Sequence, residues 1–166
     1  MVNLNDGYAD VLSKISSSSA TPGGGSVAAL TLAHAHALGM MVSRLTLGKE
    51  KWSEGHNSAT EVIESSTEGI RRALLLADED ASAFDAVMDS YKLPRDNESQ
   101  KSIRAEAIVS STINAALVPL KIMRASSDFL QSIIGLSKTG NANALTDLLA
   151  SSELAHASSR IASYYV

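Results

Sequence analysis

The chain has 166 residues, a mass of 17.4 kDa, a formal net charge of −4 and a pI of about 5.5, a length at which a single domain buries a sizeable core. Its 14 Lys and Arg residues form no block, which argues against a nucleic-acid-binding stripe. The absence of cysteine excludes disulfides, thiolate metal sites and a cysteine nucleophile. The opening MVNLNDGYADVL carries no basic region followed by a continuous apolar core, so no secretory signal is read there and the expected location is the cytoplasm.

Helical patterns then follow one another. Residues 4–16 form a short amphipathic candidate through Leu4, Tyr8, Val11, Leu12 and Ile15, ended by Pro22 and three glycines. Helix resumes through Val27, Leu30, His34, Leu38 and Met41 to about Leu47. Residues 26–43 have the length of a membrane span, but Ser26, Thr31, His34, His36 and Ser43 within them fit a buried bundle helix better. GKEKWSEGHN is a polar connection anchored by Trp52. Over residues 59–91, Ile70, Leu74, Ala77, Ala81, Phe84, Met88 and Tyr91 recur in steps of four and three, a helix stripe. LPRDNES breaks it at Pro94 and offers Asp96 or Asn97 as the next cap. Residues 99–138 read as helix with Pro119 inside, where a kink is expected, and TGNANALTD turns the chain into a last helix over 144–163. The expected fold is all-α, an up-and-down bundle of about five to six helices forming one domain over residues 1–166. Alanine and serine dominate the presumed helix faces, leaving less apolar area to stabilise a monomer, so oligomerisation is expected.

Three features carry candidate chemistry. Gly23, Gly24 and Gly25 each weaken a helix start by roughly 1 kcal/mol relative to alanine. They present either unpaired N–H groups to an anionic group at the helix start, or a loop or close helix crossing. A nucleotide P-loop is excluded, because no GKS or GKT follows at the required spacing and no strand precedes. In Asp78-Glu79-Asp80, helical geometry puts the two aspartates on opposite borders of the Ala77–Ala81–Phe84 face and points Glu79 away. A carboxylate on such a border either holds a cation or moves a proton, or is a boundary residue paired with water or arginine. His34, His36, His56 and His156 form no ligand cluster, so no metal is expected, and His34, on the face of Leu30 and Leu38, reads as a packed histidine.

TPGGGSVAAL at 21–30, LTLGKEKW at 45–52, DEDASAFDAVMDSYKLP at 78–94, VPL at 118–120 and GNANALTD at 140–147, in this order, resemble the formiminotransferase-cyclodeaminase and methenyltetrahydrofolate cyclohydrolase family over almost the whole chain. The resemblance implies a helical bundle that forms a homodimer and takes a tetrahydrofolate derivative as substrate, with no tightly bound cofactor, no metal, no nucleic acid and no membrane. Members either release ammonia from 5-formiminotetrahydrofolate while closing the 5,10-methenyl bridge, or hydrolyse that bridge to 10-formyltetrahydrofolate.

Carried onto this sequence, the resemblance gives Asp80 and Lys49 catalytic roles. It makes Pro22, Gly23, Gly24, Gly25, Ser26, Phe84, Asn143, Thr146 and Asp147 folate-binding, with the glycines letting a flat pterin approach the helix start. Asp80 would stabilise the developing cation and relay a proton, Lys49 would donate a proton or hold folate oxygens, and Asp147 and Asn143 would pair with the pterin edge. The sequence departs from the family at Thr146, where serine is commoner, and in its SRIASYYV end. With no formiminotransferase domain in the chain, hydrolysis is favoured, with cyclodeamination as the alternative and a noncatalytic folate-binding or structural dimer as the third reading.

Overall fold

The computed structural model describes residues 7–166, so Leu4 lies outside it. Helix α1 covers Tyr8–Ile15, α2 Gly24–Leu47, α3 His56–Tyr91, α4 Glu98–Ser132, α5 Ile134–Thr139 and α6 Leu145–Ala162, with short 3-10 turns at Glu50–Gly55, Ala142–Ala144 and Ser163–Tyr165. The all-α up-and-down bundle is therefore present. Helix α4 starts where the sequence offers a cap, with the Asn97 side chain accepting from the Gln100 backbone N–H at 2.9 Å. It runs through Pro119, which is buried against the core.

Helix α2 lies between α3 and α6, and α4 closes the bundle against α3 and α6. At 1.5 Å per residue α2 spans about 36 Å, whereas α3 and α4 span about 54 and 52 Å. The α3–α4 hairpin therefore continues past the N-terminal end of α2 as an arm.

Small side chains make the core. Ala28, Ala29, Ala35, Gly39 and Ser43 are among the buried positions of α2, together with Leu32, His36 and Val42. Buried hydroxyls tie its backbone to α6: Ser151 Oγ donates to the Ala35 carbonyl at 2.6 Å and Ser158 Oγ to the Ala28 carbonyl at 2.7 Å. Phe129, Leu32, Val62, Ile133 and Leu148 fill one cluster, and Leu76, Val118 and Ile122 a second near the α2 N-terminus.

This packing corrects two expected faces. The α2 stripe drawn through Val27, Leu30, His34, Leu38 and Met41 is the outer side, with His34 and Met41 exposed, because the close contacts are made by alanine, glycine and serine. His34 is not a core residue: its Nδ1 lies 2.7 Å from the Leu30 carbonyl and its ring meets Tyr8 edge-on. The packed histidine is His36, which contacts Ser66 Oγ at 3.0 Å and lies 4.3 Å from the Phe129 ring centroid. On α3 the predicted stripe is buried at Ala77 and half-buried at Ile70 and Ala81, but Leu74, Phe84, Met88 and Tyr91 are exposed. The last three lie on the part of α3 that outruns α2.

Burial pushes the His36 imidazole down to about 4, below the ordinary 6.5 of the unfolded chain. The unfolded state therefore binds an extra proton between these values, and stability falls as pH drops from 6.5 toward 4. Urea midpoints at pH 7.5 and 5 will show this loss, and His36→Gln will flatten it. Phe129→Ala, which empties the space beside His36, will cost about 3–5 kcal/mol in the same unfolding measurement.

Candidate active site

Where α2 begins, the chain supplies no side-chain cap of its own. Gly23 sits in an extended conformation with no capping hydrogen bond, so orphan N–H groups face outward. Asp80 of α3 reaches this helix start and is held there by the Ser26 hydroxyl. Ser26 Oγ lies 3.0 Å from both Asp80 Oδ2 and the Ala77 carbonyl. Burial pushes the Asp80 carboxyl above its ordinary value, while hydrogen bonding to Ser26 pulls it partly back.

The glycines have definite occupants. A Cβ on Gly25 would collide with the Asp80 carboxylate, and one on Gly24 would come within 2.9 Å of Tyr165 Cζ. The conformational reading of the glycine run is thus joined to the carboxylate: Gly25 is bare so that Asp80 can reach the helix start. Above Gly24 the neighbour is the half-exposed Tyr165 ring, which a ligand entering there must displace.

A cleft of about 550 Å³ opens over this pair. Gly23 to Gly25 and Asp80 form its floor, Phe84 stands on the α3 side, and Thr112, Ala115, Ala116 and Pro119 make the α4 wall. Pro119 has no N–H, so the Ala115 carbonyl on that wall lacks its helical donor and is left as an acceptor. Tyr164, Tyr165 and Val166 close the remaining side. The arrangement offers a carboxyl of raised proton affinity, a hydroxyl, an aromatic edge and a free carbonyl in one cavity.

Of the residues singled out in the sequence, Gly23, Gly24, Gly25, Ser26, Asp80 and Phe84 come together here, with Pro22 adjoining. Lys49, Asn143, Thr146 and Asp147 do not. Lys49 follows the C-terminal end of α2, about 36 Å of helix away, and is exposed. The Asn143 to Asp147 turn is at that same far end, because Asn141 N–H donates to Thr46 Oγ1 and Asn141 Nδ2 to the Leu45 carbonyl, both at 3.0 Å. Asp78 is exposed, and Glu79, which does not line the cleft, pairs with Arg72 of its own helix at 2.8 Å and with Lys121 of α4 at 3.0 Å. Sequence reasoning missed the α4 wall and Tyr165; Pro119 inside a helical pattern was the available signal. Among the described residues, no three His, Asp or Glu side chains gather as a metal set.

A helical bundle with a tuned carboxyl at a helix N-terminus inside a cleft is a scaffold for acid–base chemistry on a small molecule. Residues 8–166 match the family model described as formiminotransferase-cyclodeaminase. The chain is 38% identical to methenyltetrahydrofolate cyclohydrolase of Methylorubrum extorquens, over 86% of this chain and 69% of that protein. It is 32% identical to formimidoyltransferase-cyclodeaminase of Mus musculus, over 81% of this chain but only 25% of that longer protein. The crystal structure of formiminotetrahydrofolate cyclodeaminase from Thermotoga maritima superposes with a TM-score of 0.81 at 26% identity, covering 99% of this chain and 76% of that one. The chain belongs to the formiminotransferase-cyclodeaminase family.

The site's electrostatics are open to direct titration. By carboxyl NMR, Asp80 will titrate above the ordinary aspartate value of about 3.9. Ser26→Ala, which removes the hydroxyl that favours the charged form, will move that titration further up.

Proposed function

We propose that this chain acts in the cytoplasm on a one-carbon-substituted tetrahydrofolate at N5 and N10, and that its reaction is cyclodeamination of 5-formiminotetrahydrofolate. The observation that carries the reading is the Asp80 carboxyl, held at the α2 N-terminus with its proton affinity raised by burial. As N10 attacks the amidinium carbon, the carboxylate takes the N10 proton and returns it to the departing nitrogen. One N–C bond forms, one breaks, ammonia leaves, and the cationic methenyl bridge remains. Raised proton affinity suits a group that must hold a proton between these two steps, and its charge stabilises the cationic carbon.

The family comparison supports folate chemistry as a whole, and the Thermotoga relative, a chain of comparable extent, carries the cyclodeaminase description. Hydrolysis of 5,10-methenyltetrahydrofolate is the second reading, supported by the 38% identity to a cyclohydrolase; there Asp80 takes its proton from the attacking water. In both, Phe84 and the free Ala115 carbonyl position the ring system over Gly23 to Gly25. Lys49, Asn143, Thr146 and Asp147 take no part in this cleft within one chain.

Purified protein should convert 5-formiminotetrahydrofolate to the absorbing methenyl form with release of ammonia, and Asp80→Asn should lower that rate by about 10²–10⁴ while leaving the fold intact. Enzyme-dependent loss of methenyl absorbance, without ammonia release, would favour hydrolysis. Neither reaction from folded protein would leave a noncatalytic folate-binding or structural role.

A further inference from the structure

The turn that follows α6 is held more loosely than the bundle beside it. Ala162, the last residue of α6, is fully buried in the cluster with Leu76 and Ile122, whereas Tyr164, Tyr165 and Val166 are 73%, 50% and 64% exposed. Ser163–Tyr165 is a single 3-10 turn resting on α6 and α4. Among the described residues, its one side-chain hydrogen bond is local, from Ser163 Oγ to the Arg160 carbonyl at 2.7 Å. A half-exposed turn held by a local bond opens at low cost.

That turn nevertheless covers the centre of the cleft. The Tyr165 ring points tip-first at the start of α2: a Cβ on Gly24 would collide with the phenol oxygen and lie 2.9 Å from Cζ and 3.3 Å from Cε2. The ring therefore rests on bare backbone, an approach that only glycine permits. One residue along the same floor, the Asp80 carboxylate lies against Gly25. Across the cleft stand Phe84 of α3, 41% exposed, and the Thr112 to Pro119 wall of α4. An aromatic side chain laid on glycine beside Asp80 takes up the place where a flat ring must lie for that carboxyl to reach it.

We propose that Tyr165 determines affinity and ligand choice at this site: its ring occupies the seat over Gly24, and a ligand binds by displacing it with a flat ring of its own. A molecule without such a ring restores none of the contact that Tyr165 gives up, so the side chain discriminates against small acyclic molecules. For a folate, whose pterin is a flat ring, the proposal rests on the function proposed above. Affinity then depends on the population in which the turn has swung out about Ala162 and Ser163. An open state of about 1–10% weakens apparent binding by about ten- to a hundredfold relative to an unobstructed cleft.

Two measurements test this, the first without folate. Paramagnetic broadening by the neutral nitroxide hydroxy-TEMPO should be weak at the Gly24 and Gly25 amides of the wild type and of Tyr165→Phe, which keeps the ring. It should be strong in Tyr165→Ala, with helix content by circular dichroism unchanged in all three. Equal broadening would overturn the proposal, because the ring would then cover nothing. In the second, calorimetric titration with 5-formyltetrahydrofolate should give a Kd for Tyr165→Ala lower than that of the wild type by about tenfold or more, with Tyr165→Phe close to the wild type. Equal binding by Tyr165→Ala would overturn the proposal by making the ring a bystander, and weaker binding would do so by making it a wall on which the ligand stacks. No binding to any of the three proteins, with the nitroxide result as expected, would sink the folate reading alone and leave Tyr165 established as the cover over Gly24.

Discussion

Close approach of small side chains around α2 is the constraint on which the rest of the molecule depends. Ala28, Ala35, Gly39 and Ser43 leave the helix almost without girth on its inner side. Neighbouring helices come near enough for Ser151 and Ser158 of α6 to donate to α2 carbonyls. Gly39 shows how little slack there is, since a Cβ there would lie 3.0 Å from Phe129 Cζ. Hydroxyl-to-carbonyl bonds of this kind contribute little net stability each, but leaving one partner unmade inside the core is costly. The register of α2 against α6 is therefore fixed by several such pairs at once.

The site follows from that register. Helix α2 begins in glycines and has no cap of its own, so its positive end must be met by something from another element. Asp80 meets it because α3 is held at the spacing that alanine and serine faces permit, and because Gly25 has no side chain in the way. The same carboxyl that bonds the Ser26 hydroxyl in the first turn of α2 is the one whose proton affinity burial has raised. Structural and chemical roles thus rest on one interaction. Loss of Ser26 or crowding at Gly25 would disturb both together.

Much of the architecture was legible in the sequence, and for simple reasons. Pro22, Pro94 and the GNANAL turn punctuate the chain where helices end, and nothing alternates with a period of two. Faces were harder. Periodicity weights large apolar residues, whereas here large residues such as Met41, Phe84, Met88 and Ile113 are outside and alanine and serine are inside. His34 reads as packed for that reason, whereas the buried histidine is His36. At the site, spacing placed Asp80 on a border of α3 and the glycines at a helix start, and both readings fit the structure. What no spacing carries is the distance between the two ends of α2, so Lys49 and the Asn143 to Asp147 turn were grouped with a cleft that one chain keeps far from them.

The most direct test of the account is backbone amide NMR of the protein titrated with a stable tetrahydrofolate analogue. The account predicts shifts concentrated at Gly24, Gly25, Ser26, Asp80, Phe84 and Ala115, around one cleft at the start of α2. Shifts concentrated instead at Lys49 to Trp52 and Asn141 to Asp147, with the Asp80 end silent, would contradict it and move the site to the opposite end of the bundle.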